Sequence, residues 1–578
     1  MSKRRRTTCA CTPVWHDNLY GRDQATGNSS WRRQEIAAEL LGSYSLQTQL
    51  LQDNKTWRLM VHGPRTPSLN GCTDAFYGRV QGTVIEALRF RVVAATGSPC
   101  TYKATWWPRY AGQYSVNVWL TYANNSAMLS PEEFAPVLSH LRDRLKPALG
   151  KLKAIDRSLK DNPARLLNDR DRAYGAVLQQ VPGSPWSVQA SAKARLERGR
   201  QILEPWCASG QFDGSGAWVS VRACESDDSC AAQGHPYKAV AANHSLHMQY
   251  LHVWKPHGCR LRQFVDAPAF EAALQKRAAA HGPKDATRTA KCNQSTDSTR
   301  WRVLLAGDSL MREEYCALRQ FLLDGRRFGE LLHAADCFHG DNATVRTAHL
   351  IVSFVGINGF YDSFFGWRDL PGRTEQQVNV VLRAADRLRP HVLIWLDGAH
   401  SMELNSITDF LATLNTTARL FAHALRYSPA LRSVAGTLVQ LQVPYVHTLG
   451  PQLNRSQPGF YPTTWGGLQA PRVLRVNKLS AKLLRQLGID SYDTSIVHEP
   501  RPESSRDKMH WGFYQWPDRA RAAEADCDSY CNGTWAQMKG FTTMERNGYP
   551  ELPYAQTQIL LNLLLSKLGK YAYPCSSS

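Results

Sequence analysis

The pattern of apolar and polar positions changes period along the chain. Between residues 57 and 126 it alternates: Tyr114, Val116, Val118 and Leu120 are separated by Ser115, Asn117 and Trp119, the period of a half-buried strand. Trp57 to Val61 and Val84 to Val93 add two more strand-like runs, and together they predict a small all-β sandwich over residues 45–128. From Pro131 the spacing turns helical, with Phe134, Val137, Leu138 and Leu141 on one face; the charged stretch 151–200 continues it. Residues 129–200 are therefore expected to form a helical linker, and residues 1–44 a flexible N-terminal segment.

After Gln201 short apolar runs alternate with helical ones. Val303–Ala306, His349–Val355, Val392–Leu396 and Thr437–Val443 have the length and composition of parallel strands buried on both faces. Met311–Leu323, Glu375–Leu388 and Ile407–Tyr427 between them have helical spacing. This order predicts an α/β domain over 201–578: a doubly wound, mainly parallel sheet whose site lies at the carboxyl ends of its strands. Residues 281–300, rich in Lys, Thr, Ser and Gln, read as a surface insertion.

Composition narrows the classes. Hydrophobic residues are 43% and charged residues 20%, which excludes a largely disordered chain. The net charge of +20 favours a polyanionic partner without choosing among nucleic acid, lipid and acidic polysaccharide. Asn-x-Ser/Thr sequons stand at Asn28, Asn124, Asn243, Asn293, Asn342, Asn415, Asn454 and Asn532, where chance would give roughly three. Fourteen cysteines in polar contexts, without a Cys-x2-Cys pair, favour disulfides over a metal centre. These features point to the secretory pathway, either the Golgi lumen or the extracellular space. The basic opening Met1–Arg6 is not followed by the apolar stretch of a leader, so the chain is expected to lack its true N-terminus. The Leu-rich run Ile559–Ser566 is too short for a membrane span.

The sharpest chemical feature is Val303-Leu-Leu-Ala-Gly-Asp-Ser309, followed by Leu310-Met-Arg312. A serine on a turn between a buried strand and a helix sits where backbone N–H groups can hold an oxyanion beside its hydroxyl. Ser309 is thus a candidate nucleophile; the plainer alternative is that Asp308 or Ser309 only caps the helix. A serine nucleophile needs a base and a group to orient it. Asp-x-x-His occurs as Asp336/His339, Asp397/His400 and Asp507/His510, where composition predicts about one. The first pair lies in a Cys-bearing loop before a strand. His400 directly follows a core strand, and His510 lies in a late polar loop that can fold back over the first strand, so both remain candidate bases.

Gly307-Asp308-Ser309 with a late Asp507-x-x-His510 resembles the PC-esterase family, which contains the plant trichome-birefringence-like polysaccharide O-acetyltransferases, their fungal and animal relatives, and neurexophilin-related proteins. Two upstream blocks resemble it as well: Cys207 to Trp218, and Trp254-Lys-Pro-x-x-Cys259 followed by Phe264 and a helix over 268–279. The Gly112-x-Tyr-x-Val-x-Val pattern resembles a strand of filamin-type immunoglobulin repeats, and an immunoglobulin-like domain before the catalytic domain is also seen in the neurexophilin-related branch. The resemblance implies an SGNH-hydrolase-like domain with Ser309 as nucleophile, His510 as base and Asp507 as its orienter. Gly307, Asp308, Arg312, Gly398 and His400 are then oxyanion or substrate-lining residues. Glu313 and Glu314 replace the Asn-Gln of the plant branch, and the cysteine that flanks Trp511 there is absent.

The reading that follows is a glycan O-acetyltransferase, with an acetyl donor as co-substrate and no bound cofactor or metal. Its partner is a polysaccharide, acidic if the basic balance reflects function. Seventeen Trp, including Trp106, Trp107 and Trp465, would suit stacking on sugars, although most should be core. A carbohydrate acetyl-esterase using the same triad is the first alternative, and a non-catalytic extracellular glycan-binding protein the second. Nucleic-acid binding is opposed by the sequons and cysteines and by the lack of a recognised basic motif.

Overall fold

The computed structural model describes residues 44–52, 56–63, 72, 74–93, 100–122, 176–190, 204–207, 216–231, 252–281, 300–324, 342–357, 373–396, 401, 407–428, 437–442, 470–501 and 551–569. Their strands form three sheets. The first is antiparallel and contains β1 (Ser45–Leu50), β2 (Trp57–His62), β6 (Thr101–Trp106) and the short β5 (Arg91–Val93), in the order β1-β2-β6-β5. The second contains β3 (Ala75–Gln81), β4 (Val84–Arg89), β7 (Gly112–Tyr122), β8 (Ala176–Gln180), β9 (Trp186–Ala190), β10 (Gly216–Ser220) and β11 (His252–Pro256). Its order is β11-β10-β4-β3-β7-β8, with β9 also on β7, and every pairing is antiparallel.

These two sheets face each other across an aromatic core. The alternation read from the sequence of β7 is the alternation of burial, since Tyr114, Val116, Val118 and Leu120 are all buried. From the opposite sheet, Tyr102, Ala104 and Trp106 on β6 are buried in the same way. Trp106 meets Tyr114 edge-on at 5.1 Å and donates through Nε1 to the buried Glu86 at 2.9 Å. It is a core residue, so the expectation that it stacks on sugar does not hold. Tyr114 donates to the carbonyl of Tyr110 at 2.7 Å, tying the strand to the corner that precedes it. Asp74 accepts from both Tyr44 and Tyr102, which satisfies a carboxylate placed among apolar side chains.

Two boundaries differ from the sequence reading. β8 and β9 fall within the stretch read as a helical linker; β8 pairs with β7 through Ala176, Gln179 and Gln180, and β9 through Trp186 to Ala190, instead of forming a helical face. The second sheet also continues into β10 and β11, which the sequence pattern places in the following domain, through Trp218 opposite Ile85 and Val219 opposite Val84. Residues 123–175 lie outside the described residues.

The third sheet contains β12 (Trp301–Gly307), β13 (Asn342–Arg346), β14 (Leu350–Gly356), β15 (Val392–Trp395), β16 (Thr437–Gln442) and β17 (Asp490–Asp493). The order is β13-β14-β12-β15-β16-β17; five strands are parallel and β13 is an antiparallel edge. The molecule is thus a mixed α/β protein with one mainly parallel sheet and two antiparallel ones. Two short helices, α1 (Val221–Glu225) and α2 (Asp228–Ala231), follow β10, and a longer one, α3 (Ala267–His281), follows β11. Helices α4 (Ser309–Asp324), α5 (Arg373–Leu388), α6 (Ile407–Tyr427) and α7 (Ala470–Gln486) connect the parallel strands, and the single turn α8 (Ser495–His498) follows β17. α5 packs on α6 and α6 on α7, whereas α4 packs on α3 and on the C-terminal α9 (Glu551–Leu568).

α9 carries the Leu-rich run, and from Thr557 to Leu568 it is buried all round. Its polar interruptions have a use: the Asn562 amide exchanges two hydrogen bonds with the backbone of Arg262, and the Gln558 amide two with Phe264, at 2.8 to 3.1 Å. Among the described residues no helix is long and apolar enough to cross a membrane. Disulfides join Cys72 to Cys100, Cys207 to Cys259 and Cys224 to Cys230; no described cysteine is free. Such bonds fit an oxidising compartment.

The antiparallel and parallel sheets are tied together at residues 495–501. Trp218 on β10 donates through Nε1 to the carbonyl of Val497 at 2.9 Å, and the Arg501 guanidinium lies over the Trp218 ring. Arg89 reaches Glu499 from β4 through Nε and an Nη at 2.9 and 2.7 Å. Trp218→Phe keeps the ring in place but leaves the buried Val497 carbonyl without its donor. Denaturant unfolding should show a loss of about 1–3 kcal/mol; unchanged stability would show that this contact does not hold the junction.

Candidate active site

The parallel register brings one end of every strand of the third sheet to a common edge. Gly307 pairs with Gly356, Ala306 with Trp395, Trp395 with Gln440, and Gln442 with Asp493. The chain therefore leaves β12, β14, β15 and β17 on the same side at residues 308, 357, 396 and 494. Gly307, Asp308, Ser309 and Arg312 stand at that edge, at the end of the central β12 and the start of α4.

Local packing explains the sequence of this turn. A Cβ on Gly307 would lie 2.6 Å from Met311 Cβ and 3.0 Å from Leu396 Cβ, so only glycine lets α4 and the end of β15 close on the strand. The Gly307 carbonyl accepts from Ile357 N–H, and the Ala306 carbonyl from Leu396 N–H, both at 2.9 Å, which extends the sheet pairing to the edge itself. Asp308 caps α4: its Oδ1 accepts from Leu310 N–H at 3.0 Å and its carbonyl from Arg312 N–H at 3.0 Å. The capping role thus falls to Asp308, and Ser309 is the first residue of the helix. Asp308 Oδ2 is buried with no hydrogen-bond partner among the described residues.

Asp397, Gly398, His400, Asp507 and His510 lie outside the described residues. Two flanking anchors are described. The chain passes from Leu396, beside Gly307, to Ser401, which is fully buried. Arg501, six positions before Asp507, is buried, and its backbone N–H donates to the His498 carbonyl at 2.9 Å. Cys207 and Cys259 are disulfide-bonded, and Trp218 and Trp254 are cross-strand partners, so the two upstream blocks are neighbours in space. Among the described residues no group of three His, Cys, Asp or Glu side chains is placed to hold a metal.

Below the edge lies a polar layer that sequence reading did not assign. Glu314 on α4 is buried and accepts from the Tyr492 hydroxyl at 3.0 Å. Burial pushes its carboxyl up to about 8, and the Tyr492 bond offsets this only in part. Asp493 Oδ1 accepts from Ser495 N–H at 2.8 Å, from Ser495 Oγ at 2.5 Å and from Asn477 at 3.2 Å; burial still raises its pKa. Burial lowers His498 to about 3; at the opposite, amino end of the sheet it lowers His391 to about 4, whose Nδ1 accepts the Arg302 N–H and must be neutral to do so. A signal for Glu314 was present: it falls on the buried face of α4, with Leu310, Met311, Tyr315, Leu318 and Phe321, where a charged residue is out of pattern.

No family model matches the chain and no curated protein matches it. Among solved structures, a protein assigned as an arylesterase from Agrobacterium tumefaciens str. C58 is 18% identical; the alignment covers 37% of this chain and 90% of that one, with a TM-score of 0.24. The cytosolic domain of the T. maritima FeoB iron transporter in its GMPPNP form is 9% identical over 46% of this chain and 99% of that one, with a TM-score of 0.16. Likenesses at these scores carry no argument about fold or activity.

The buried titratable groups give a defined pH dependence. Glu314 ionises near 4.5 when unfolded and near 8 when folded. Its contribution to stability is complete below the first value and is lost as pH rises to the second. His498 and His391 act in the opposite sense, losing stability as pH falls from 6.5 toward 3 or 4. Glu314→Gln keeps an acceptor for Tyr492 and should abolish the alkaline decline. Relative to the unmodified protein, it should gain on the order of 2–4 kcal/mol in unfolding free energy between pH 5 and pH 8. Parallel pH profiles would contradict this.

Proposed function

We propose that the chain is a serine-dependent acyl-transfer enzyme of PC-esterase type, a polysaccharide O-acetyltransferase of the secretory pathway. The observation that carries the reading is the Gly307-Asp308-Ser309 turn at the carboxyl end of the central parallel strand. There glycine allows the close approach, Asp308 caps the helix and Ser309 opens it. The order β14-β12-β15-β16-β17 supports reading this sheet as doubly wound, of the 2-1-3-4-5 kind, in which ligands sit at the carboxyl ends where the winding reverses. That reversal is at β12. We read this half as SGNH-like and the two facing antiparallel sheets as an immunoglobulin-like module joined to it.

In this mechanism His510, oriented by Asp507, takes the proton from Ser309 Oγ as that oxygen attacks the acetyl carbonyl of the donor. The α4 N-terminus supplies positive backbone potential for the oxyanion. Collapse of the tetrahedral intermediate releases the donor's leaving group, which takes the proton from His510. A sugar hydroxyl then gives its proton to His510 and attacks the acetyl-serine, and the proton returns to Ser309 Oγ. Gly307, Arg312, Gly398 and His400 line the site. Water in place of the sugar would make the same triad an acetyl-esterase. Intact Ser309, Asp507 and His510 favour catalysis over a purely glycan-binding role.

Members of a triad act as a unit, so Ser309→Ala and His510→Ala should each remove most turnover on an activated acetyl ester. The double variant should be little worse than either single one. His400→Ala should keep acyl-enzyme formation and lose acceptor use. If Ser309→Ala retained full turnover, this reading of the site would fall; if His400→Ala and not His510→Ala silenced the enzyme, the base would be reassigned to His400.

A further inference from the structure

Arg91 on β5 stands directly opposite Lys103 on β6 in the antiparallel register. Cross-strand partners project from the same side with Cβ atoms about 4.5–5.5 Å apart, and a like-charged pair there destabilises the sheet. Neither side chain makes an ion pair with a described residue. Both line a cavity of about 440 Å³ between this sheet edge and the chain at Ile496, Glu499 and Pro500. Arg89 and Glu499 also line it, but they neutralise each other at 2.7 Å. Among the described lining residues two positive charges are left at the cavity, and Thr105 lines it with them. Val93 projects from the same face of β5 as Arg91 and is 38% exposed, an apolar surface next to the charges; Val92, 49% exposed, lines the cavity from the other face of the strand.

Opposed cations and an adjoining apolar strip match a ligand that carries an oxyanion on a partly apolar ring. We propose that this cavity binds an acidic group, a uronate carboxylate or a sulfate ester, of the polysaccharide, with Arg91 and Lys103 as its direct partners. The saccharide in this assignment rests on the acyl-transfer reading above; the oxyanion rests on the cation pair alone. Gly307, Asp308 and residues 310–312 do not line the cavity, so it would hold the polymer away from the reacting serine, and its loss should appear in KM with kcat kept.

The test is calorimetric titration of the full chain carrying Ser309→Ala, which measures binding without turnover. The probes are oligogalacturonides for the carboxylate, heparin-derived oligosaccharides for the sulfate, and xylo-oligosaccharides as the neutral arm. At least one acidic probe should bind more tightly than the neutral one, and Arg91→Gln with Lys103→Gln should weaken it by about tenfold or more. The exposed Lys478 and Lys482 on α7, changed to Gln together, remove the same charge elsewhere and should shift affinity by no more than about twofold. Thermal unfolding of the Arg91/Lys103 variant should occur at the original temperature or higher, because a repulsion has been removed; Lys103→Gln alone serves if the pair does not accumulate. Equal weakening by both double variants would assign the binding to net charge and overturn the site. So would equal affinity for acidic and neutral probes, or no binding of any probe. Each of these results leaves the Ser309 turnover assay, and with it the acyl-transfer reading, to stand or fall separately.

Discussion

The organisation of this protein depends on a short buried segment, Asp493 to Arg501, where the antiparallel and parallel parts of the molecule meet. Its backbone and side chains are removed from water and must find partners. The Val497 carbonyl takes the Trp218 indole, the Glu499 carboxylate takes Arg89, and the Glu499 carbonyl takes the Tyr77 hydroxyl at 3.0 Å. All three partners come from the antiparallel sheet of β3, β4 and β10. Removing any of them leaves a buried polar group unpaired, which is costlier than the bond is favourable. The sandwich is thus part of the frame that fixes the chain just before Asp507.

At the neighbouring edge, similar accounting explains the serine turn. Burial of β12 on both faces requires apolar residues up to Ala306, and the approach of Met311 and Leu396 requires Gly307. The start of α4 requires an acceptor, which Asp308 supplies. Beneath it, Glu314 and Tyr492 share one hydrogen bond in a fully buried layer, which keeps the carboxyl protonated near neutral pH. The Glu314–Tyr492 contact is therefore a neutral hydrogen bond near neutral pH.

Much of this was legible in the sequence, for identifiable reasons. β7, β12, β14 and β15 were readable because each is buried in a way that leaves a clean pattern: alternating when one face is wet, continuous when both are dry. α4, α5 and α6 were readable from their amphipathic spacing. β8 and β9 were not, because few residues pair with β7 and the surrounding composition is charged. The continuation of the second sheet into β10 and β11 was equally hidden, since strand pairing across 130 or so intervening positions leaves no local signal. In the candidate site, Gly307, Asp308 and Ser309 stood out as a turn between two confident elements. Glu314 was seen as a departure from a family pattern, but its burial and its pairing with Tyr492 depend on a strand far along the chain. The cation pair of Arg91 and Lys103 needed the register of β5 on β6 before it had meaning.

The central claim is that Ser309 becomes acylated, and trapping that species tests it directly. Protein carrying His510→Ala would be mixed with an activated acetyl ester, quenched in acid and mapped by peptide mass spectrometry, with Ser309→Ala treated in parallel. The account predicts a substoichiometric or slowly formed acetyl adduct on the peptide bearing Ser309, faster in the unmodified protein and absent from Ser309→Ala. Acetylation at another residue that persists in Ser309→Ala, with turnover intact, would contradict it.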